Sequence, residues 1–318
     1  MRSQPPPICL MGPTASGKTE LALRLADELP ADIVSVDSAL VYRGMNVGTA
    51  KPDADTLRRY PHRLIDIRDP EESYSAGDFV RDAKAAIDSI RSAGRIPLLV
   101  GGTMMYFRAL TRGIAKLPHA DERVRAALDA EAAISGWPAM HRKLAEVDCV
   151  AAARIGQNDS QRIQRALEVY LTSGRAVSDW HAEQLAGTAG DAGVTSARFV
   201  KFALVPEPRA ELHRRVETRL ALMFRQGFLD EVRTLRARPR LTSRHPSMRA
   251  VGYRQLWAHL DGEYGLDTAF ERALVATRQL AKRQLTWLRG EPGLDVHNPL
   301  EPAVFGTIVS RVKRQMAE

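Results

Sequence analysis

Eight residues near the start of the chain, Gly12-Pro13-Thr14-Ala15-Ser16-Gly17-Lys18-Thr19, fit the pattern GxxxxGK[ST] and narrow the possible folds more than any other feature. They follow an apolar run, Ile8 to Met11, and precede a helix-forming stretch over Glu20 to Leu29. A strand, a glycine-rich turn and a helix N-terminus in that order make a phosphate cradle. The glycines let backbone N–H groups turn inward, and the helix end adds partial positive charge. Lys18 supplies a full charge to phosphate oxygens, and the Thr19 hydroxyl is of the kind that ligates Mg²⁺.

The periodicity around this loop predicts an α/β core. Ile33 to Val36 is a second short apolar run, ending in Asp37, and Ile96 to Val100 is a third. Between them Ser75 to Ala93 has helical spacing at Phe79, Ala83, Ala86 and Ile90, with Gly94 as a stop. Strands alternating with helices imply a parallel sheet flanked by helices, here a P-loop NTPase-like core. From Asp121 to about Leu185 no strand signal occurs, and alanine-rich helical stretches are broken at Gly136-Trp137-Pro138 and Gly156. This predicts an all-helical insertion over residues 116–196, with the core formed by 1–115 and 197–318. Gly187 to Gly193 reads as a linker, and Phe199 to Val205 as a returning strand. Helices are expected over Arg209 to Arg236 and Asp267 to Leu288.

Charge adds a partner class. The net charge is +8, but residues 198–289 hold 19 Lys and Arg against 9 Asp and Glu, while the remainder holds 27 against 29. The whole positive excess lies in one segment, as a polyanion-binding protein requires, though a solvated basic surface gives the same count. Two cysteines, Cys9 and Cys149, form neither a disulfide framework nor a CxxC zinc site. No apolar run approaches the ~20 residues of a membrane span. A cytoplasmic, soluble chain is expected, with a monomer as the default.

ATP-using P-loop enzymes carry an Asp at the end of a further apolar strand to help hold Mg²⁺. Here Ile96 to Val100 ends in Gly101-Gly102-Thr103, and the carboxylate stands after the second run, as Asp37-Ser38. Strand ends gather at one edge of an open parallel sheet, so Asp37, Thr103 and the P-loop are expected to converge. A helix cap or turn is the plainer role for Asp37, and a turn hydroxyl for Thr103.

The text around these residues strongly resembles the bacterial tRNA dimethylallyltransferases (tRNA isopentenyltransferases). The similarity runs through the stretch from Asp37 to Pro52, DSALVYRGMNVGTAKP, and His62 to Asp66, HRLID. It continues in Gly101 to Tyr106, GGTMMY, in Asn158 to Glu168, NDSQRIQRALE, and in Val251 to Gln255, VGYRQ. The late helix from Thr277 to Arg289 completes the match.

The resemblance implies transfer of a dimethylallyl group from dimethylallyl diphosphate to N6 of the adenosine immediately 3′ of the anticodon, in tRNAs reading codons that begin with U. The P-loop, Gly12 to Thr19, then holds a diphosphate leaving group. By the same resemblance Asp37 is the general base, and Lys18, Thr103 and Arg219 act with Mg²⁺ on Thr19 against the diphosphate. Arg219 shares its helix with Arg214, Arg215 and Arg225, so a solvated arginine is its plainer reading. The target base must leave its stack to react. The family's pattern assigns Asp37, Ser38, Ala39, Leu40 and Thr103, with Gln161, Arg162, Ile163, Gln164 and Arg165, to the flipped base and its neighbours. It assigns Arg125, the run Arg249, Ala250, Val251, Gly252, Tyr253 and Arg254, and the run Lys282, Arg283, Gln284, Leu285, Thr286, Trp287, Leu288 and Arg289 to the anticodon stem-loop. Independently, Arg278, Lys282 and Arg289 fall within about 40° on a helical wheel. Many relatives carry Gln where this chain has Leu40, so adenine recognition at that position departs from the pattern. Competing readings are an adenylate isopentenyltransferase, a small-molecule P-loop kinase and a non-catalytic RNA-binding protein. The intact Lys18, Thr19 and Asp37 count against the last.

Overall fold

A computed structural model of the protein describes residues 5–115, 117–187 and 199–317. The chain divides into two compact units, Met1–Thr111 with Ala197–Glu318, and Arg112–Ser196.

The first unit begins with β1 (Ile8–Met11), α1 (Lys18–Glu28), β2 (Ala31–Val36), α2 (Ala54–Arg59), β3 (His62–Arg63), α3 (Ala76–Ser92), β4 (Ile96–Gly101) and α4 (Met104–Arg112). The second unit contains α5 (Glu122–Ser135), α6 (Trp137–Val147), α7 (Cys149–Ala152), α8 (Ser160–Ser173) and α9 (Val177–Gly187). The first unit resumes with β5 (Val200–Leu204), α10 (Arg209–Arg225), α11 (Phe228–Arg236), α12 (Tyr253–Leu260), α13 (Leu266–Arg289), β6 (Leu294–His297) and α14 (Val304–Ala317). Apart from Gly187, which closes α9, the linker read over Gly187 to Gly193 lies outside the described residues. The second unit starts at Arg112, at the end of α4, a few residues before the expected boundary at 116.

Six parallel strands make one sheet in the order β3-β2-β4-β1-β5-β6. Period-2 alternation sends Cys9, Met11, Val34, Val36, Leu99 and Ala203 to one core and Ile8, Leu10, Ile33, Leu98, Phe202 and Leu204 to the other. Both faces are covered, as an all-parallel sheet requires. The first core takes the buried face of α3, whose start is fixed by a capping box between Ser75 and Asp78. The helix expected over Arg209 to Arg236 is two helices. Gln226-Gly227 breaks it, with Gly227 in the left-handed region at φ 90°, which turns the chain so that Phe228 re-enters the core.

The second unit buries its own apolar cluster around Leu128, Met140, Leu144, Ile163 and Leu167. Beside it Glu168, fully buried, accepts from Arg125 Nε at 2.9 Å, Arg165 Nη1 at 2.8 Å and the Asp121 amide at 2.8 Å. Burial pushes the carboxyl up, and these donors more than offset it, leaving Glu168 below its ordinary value.

Candidate active site

Met11 on β1 and Val36 on β2 are both level with Gly101 on β4, so three loops leave the sheet side by side at its C-terminal edge. They line a cavity of about 540 Å³ in the first unit. Ile33, Ser35 and Asp37, spaced two apart, face this cavity while Val34 and Val36 face the core. Asp37 Oδ1 accepts from the amides of Ala39 (2.8 Å) and Leu40 (3.3 Å). This Asx-type turn immobilises the carboxylate. Thr103 Oγ1 accepts from the Ser38 amide at 3.0 Å, and the Thr103 amide donates to Val36 O at 3.3 Å. The turn roles of Asp37 and Thr103 thus coexist with their place on the cavity wall.

The P-loop opens into the same space through Thr14, Lys18 and Thr19. Lys18 Nζ donates to Pro13 O at 2.6 Å and to Ser16 Oγ at 3.3 Å. Burial pushes the Lys18 ammonium down to about 7, Arg219 adds to the shift by repulsion, and Asp37 opposes it. From α10, Arg219 reaches the cavity and donates through Nη2 to Thr49 O at 3.3 Å. Its Nε is buried and has no partner among the described residues. Burial lowers the Arg219 pKa and Asp37 again opposes the shift. Two cations and one carboxylate therefore share one poorly solvated space.

Lys51 and Asp66, from two of the motifs, are scaffold for this edge. Lys51 Nζ donates to Tyr42 O at 2.9 Å and pairs with Asp66, whose amide donates to Leu40 O at 3.2 Å. The HRLID segment thereby props the turn that carries Asp37. Ser35 and His62 are polar cavity residues to which the sequence analysis gave no role in the site. The Ser35 hydroxyl, buried without a partner among the described residues, is a mid-strand serine signalled only by its phase with Asp37. His62 also lines the wall, its pKa lowered by burial and partly restored by its hydrogen bond to Tyr60 O.

Of the residues assigned to RNA, Ser38, Ala39, Leu40, Thr103, Arg249, Ala250, Val251, Tyr253, Arg283, Gln284 and Trp287 line this cavity. Arg254, Lys282, Thr286 and Arg289 are exposed on the same unit. In the second unit Gln161 and Arg162 are exposed. Arg125 and Arg165 keep part of their surface open while paired to Glu168, and Gln164 donates to Asp129 at 2.7 Å. Several positions need correction. Ile163, Tyr253 and Leu288 are buried in apolar clusters, Tyr253 with its hydroxyl on Glu231. Gln284 is held internally: it accepts from the Thr14 amide at 2.9 Å and donates to Gly102 O at 2.8 Å, tying the P-loop to the turn after β4. Arg278 pairs with Glu217 at 2.9 Å, so the members of the predicted stripe with no ion pair among the described residues are Lys282 and Arg289. Arg283, about 100° round the helix from Lys282, lines the cavity.

A P-loop beside the central strands, faced by a fixed carboxylate and a half-buried arginine, defines an enzyme core that handles a phosphate or diphosphate group. A family model described as IPP transferase matches residues 40–291. A tRNA dimethylallyltransferase of Thioalkalivibrio sulfidiphilus is 54% identical over 314 residues, covering 98% of this chain and 95% of that protein. Another, from Chromobacterium violaceum, is 55% identical over 297 residues, covering 93% and 90%. The chain belongs to the IPP transferase family. The structure of a tRNA isopentenylpyrophosphate transferase from Bacillus halodurans matches with a TM-score of 0.71 at 33% identity, over 99% of this chain and 97% of that one. A eukaryotic dimethylallyltransferase acting on tRNA shares the fold, with a TM-score of 0.75 at 24% identity over 96% and 76%.

Proposed function

We propose that the protein transfers a dimethylallyl group from dimethylallyl diphosphate to N6 of the adenosine 3′-adjacent to the anticodon, in tRNAs reading codons that begin with U. The observation that carries this reading is the meeting of Lys18, Arg219, Thr103 and Asp37 in one cavity. The N6–C bond forms as the allylic C–O bond breaks, the amine proton passes to Asp37, and diphosphate leaves. With Oδ1 occupied by two amides, Asp37 keeps Oδ2 for that proton. The diphosphate develops charge against Lys18, Arg219 and the P-loop amides, and its arrival restores the ammonium form of Lys18.

Among the described residues no cluster of three His, Cys, Asp or Glu could hold a metal ion. The donor at hand, the Thr19 hydroxyl on the cavity lining, fits Mg²⁺ that arrives with the diphosphate and takes oxygen ligands from it, which leaves Asp37 free for the proton. Thr19 would hold such an ion, which when bound would supply positive charge against the leaving group. Arg249, Arg254, Lys282, Arg283 and Arg289, with Gln161, Arg162, Arg165 and Arg125 of the second unit, contact the tRNA. Among the described residues no helix is long and apolar enough to cross a membrane, and we place the enzyme in the cytoplasm with its tRNA, as a monomer.

The test is nucleoside mass spectrometry of tRNA incubated with protein and dimethylallyl diphosphate. Prenylated adenosine is expected from tRNA and none from AMP, with no requirement for ATP. Product on AMP alone would indicate a nucleotide prenyltransferase, and consumption of ATP a kinase. Asp37→Asn should lower kcat on the order of 10²–10⁴-fold with tRNA affinity little changed.

A further inference from the structure

One carboxylate outside the reacting groups organises a wall of the cavity. Glu231, in the first turn of α11, accepts through Oε2 from the amides of Asn46 (2.8 Å) and Val47 (2.7 Å). Its Oε1 accepts from the Gly48 amide (3.0 Å) and from the Tyr253 hydroxyl (2.6 Å). Three successive amides converging on one point form a backbone nest of the kind that binds anions. Here the anion is a side chain from a distant helix.

The clamp leaves the loop no slack. A Cβ on Gly48 would lie 2.0 Å from Phe228 Cε2 and 2.7 Å from Tyr253 Cε2, so only glycine permits this approach. The Thr49 hydroxyl turns back to Met45 O at 2.8 Å. Thr49 lines the cavity, and its carbonyl is the acceptor for Arg219 Nη2. Gly48, Thr49, Ala50, Phe228, Tyr253 and Arg219 all line the cavity.

We propose that Glu231 is a positioning residue for prenyl transfer: by holding the 46–48 amides it fixes the Thr49 carbonyl, which aims the Arg219 guanidinium at the diphosphate. A brace serving stability alone would need no link to Arg219. The proposal rests on the assignment of Arg219 to the diphosphate. A misplaced group in an active site costs on the order of 10²-fold in rate. A loss of that order is expected for Glu231→Gln, because its amide presents N–H groups to backbone N–H groups.

The experiment compares wild type, Glu231→Gln, Arg219→Ala and the double variant. It reads kcat and KM for dimethylallyl diphosphate, tRNA affinity and the urea midpoint, with rates normalised to folded protein. Glu231→Gln should lower kcat/KM for dimethylallyl diphosphate and leave tRNA affinity unchanged. On the Arg219→Ala background it should add no further loss, the signature of two residues acting through one contact. Additive losses, or a fall in urea midpoint with normal kcat/KM, would overturn the proposal and make Glu231 a brace. A silent Arg219→Ala with a defective Glu231→Gln would instead remove Arg219 from the diphosphate site. Should Glu231→Gln fail to fold, Tyr253→Phe removes a single hydrogen bond from the same carboxylate. A several-fold loss in the same parameter, absent on the Arg219→Ala background, supports the proposal, and normal or additive behaviour overturns it.

Discussion

Lys18 stands where its charge is costly to hold. Its pKa falls from 10.5 to about 7 because burial penalises the ammonium and Arg219 repels it, with Asp37 compensating in part. Between those two values the unfolded chain holds a proton that the folded chain has released. Stability from this group therefore grows as pH rises from 7 toward 10.5, and below 7 the fold carries the full cost of holding this half-buried cation. Lys18→Met keeps the apolar stem and removes that cost. The variant should be inactive yet melt above wild type at pH 6, with the difference narrowing toward pH 9 in calorimetric scans. A variant melting below wild type at pH 6 would mean that the hydrogen bonds to Pro13 and Ser16 outweigh desolvation. Lys18 and Asp37 were legible in the sequence because each stands in a motif with its own chemistry. Glu231 was not, since its partners are backbone amides and amides leave no trace in residue identity. Gln284 was assigned to RNA with the whole run Lys282 to Arg289 by the family resemblance, but one helical position decides between solvent and the P-loop.

At the scale of elements, strands and amphipathic helices declared themselves by period, as in β1, β2 and β4 and the buried face of α3. Elements whose form depends on neighbours did not. β3 is two residues long and exists because Ile33 and Val34 offer it a ladder. The break between α10 and α11 turns on one glycine inside a run that otherwise keeps helical spacing. The NDSQRIQRALE motif proved partly architectural: Arg165 and Glu168 tie α8 to the start of α5 through Arg125 and the Asp121 amide. Glu168→Gln should destabilise the second unit by on the order of 1–3 kcal/mol, the worth of charge-assisted hydrogen bonds reduced by the solvent around both arginines. Because the Glu168 pKa is depressed in the fold, its contribution is complete above the ordinary carboxyl value and fades as pH falls through the folded one. Urea titrations at pH 7 and pH 3.5 should show the wild-type advantage at the first pH and its shrinkage at the second. An equal advantage at both would mean that shape, rather than charge, makes the contact.

Across the whole molecule, the positive excess of residues 198–289 is partly neutralised inside the fold. Arg214 and Arg215 lie on Glu211, Arg233 on Asp230, Arg236 on Asp261, Arg238 on Glu71 and Arg278 on Glu217. Exposed cations with no ion pair among the described residues include Arg249, Arg254, Lys282, Arg283 and Arg289, and three of these stand on one stretch of α13. If they lie along RNA phosphates, each contact releases counterions, and affinity falls with salt at a log–log slope of roughly −0.7 to −0.9 per neutralised phosphate. Replacing Lys282 and Arg289 together by Ala should weaken tRNA binding and flatten that slope by about one to two units. KM for dimethylallyl diphosphate should not change, because the site proposed for it lies at the P-loop and Arg219, away from this helix face. Gln161→Ala removes an uncharged group from the other unit, so it should leave the slope intact while costing on the order of 1–3 kcal/mol, as the loss of a base contact does. The measurement is tRNA affinity across a salt series for wild type and both variants. Unchanged affinity and slope in the double variant would identify this face of α13 as solvated surface, and the RNA path would then have to run over Arg249 and Arg254.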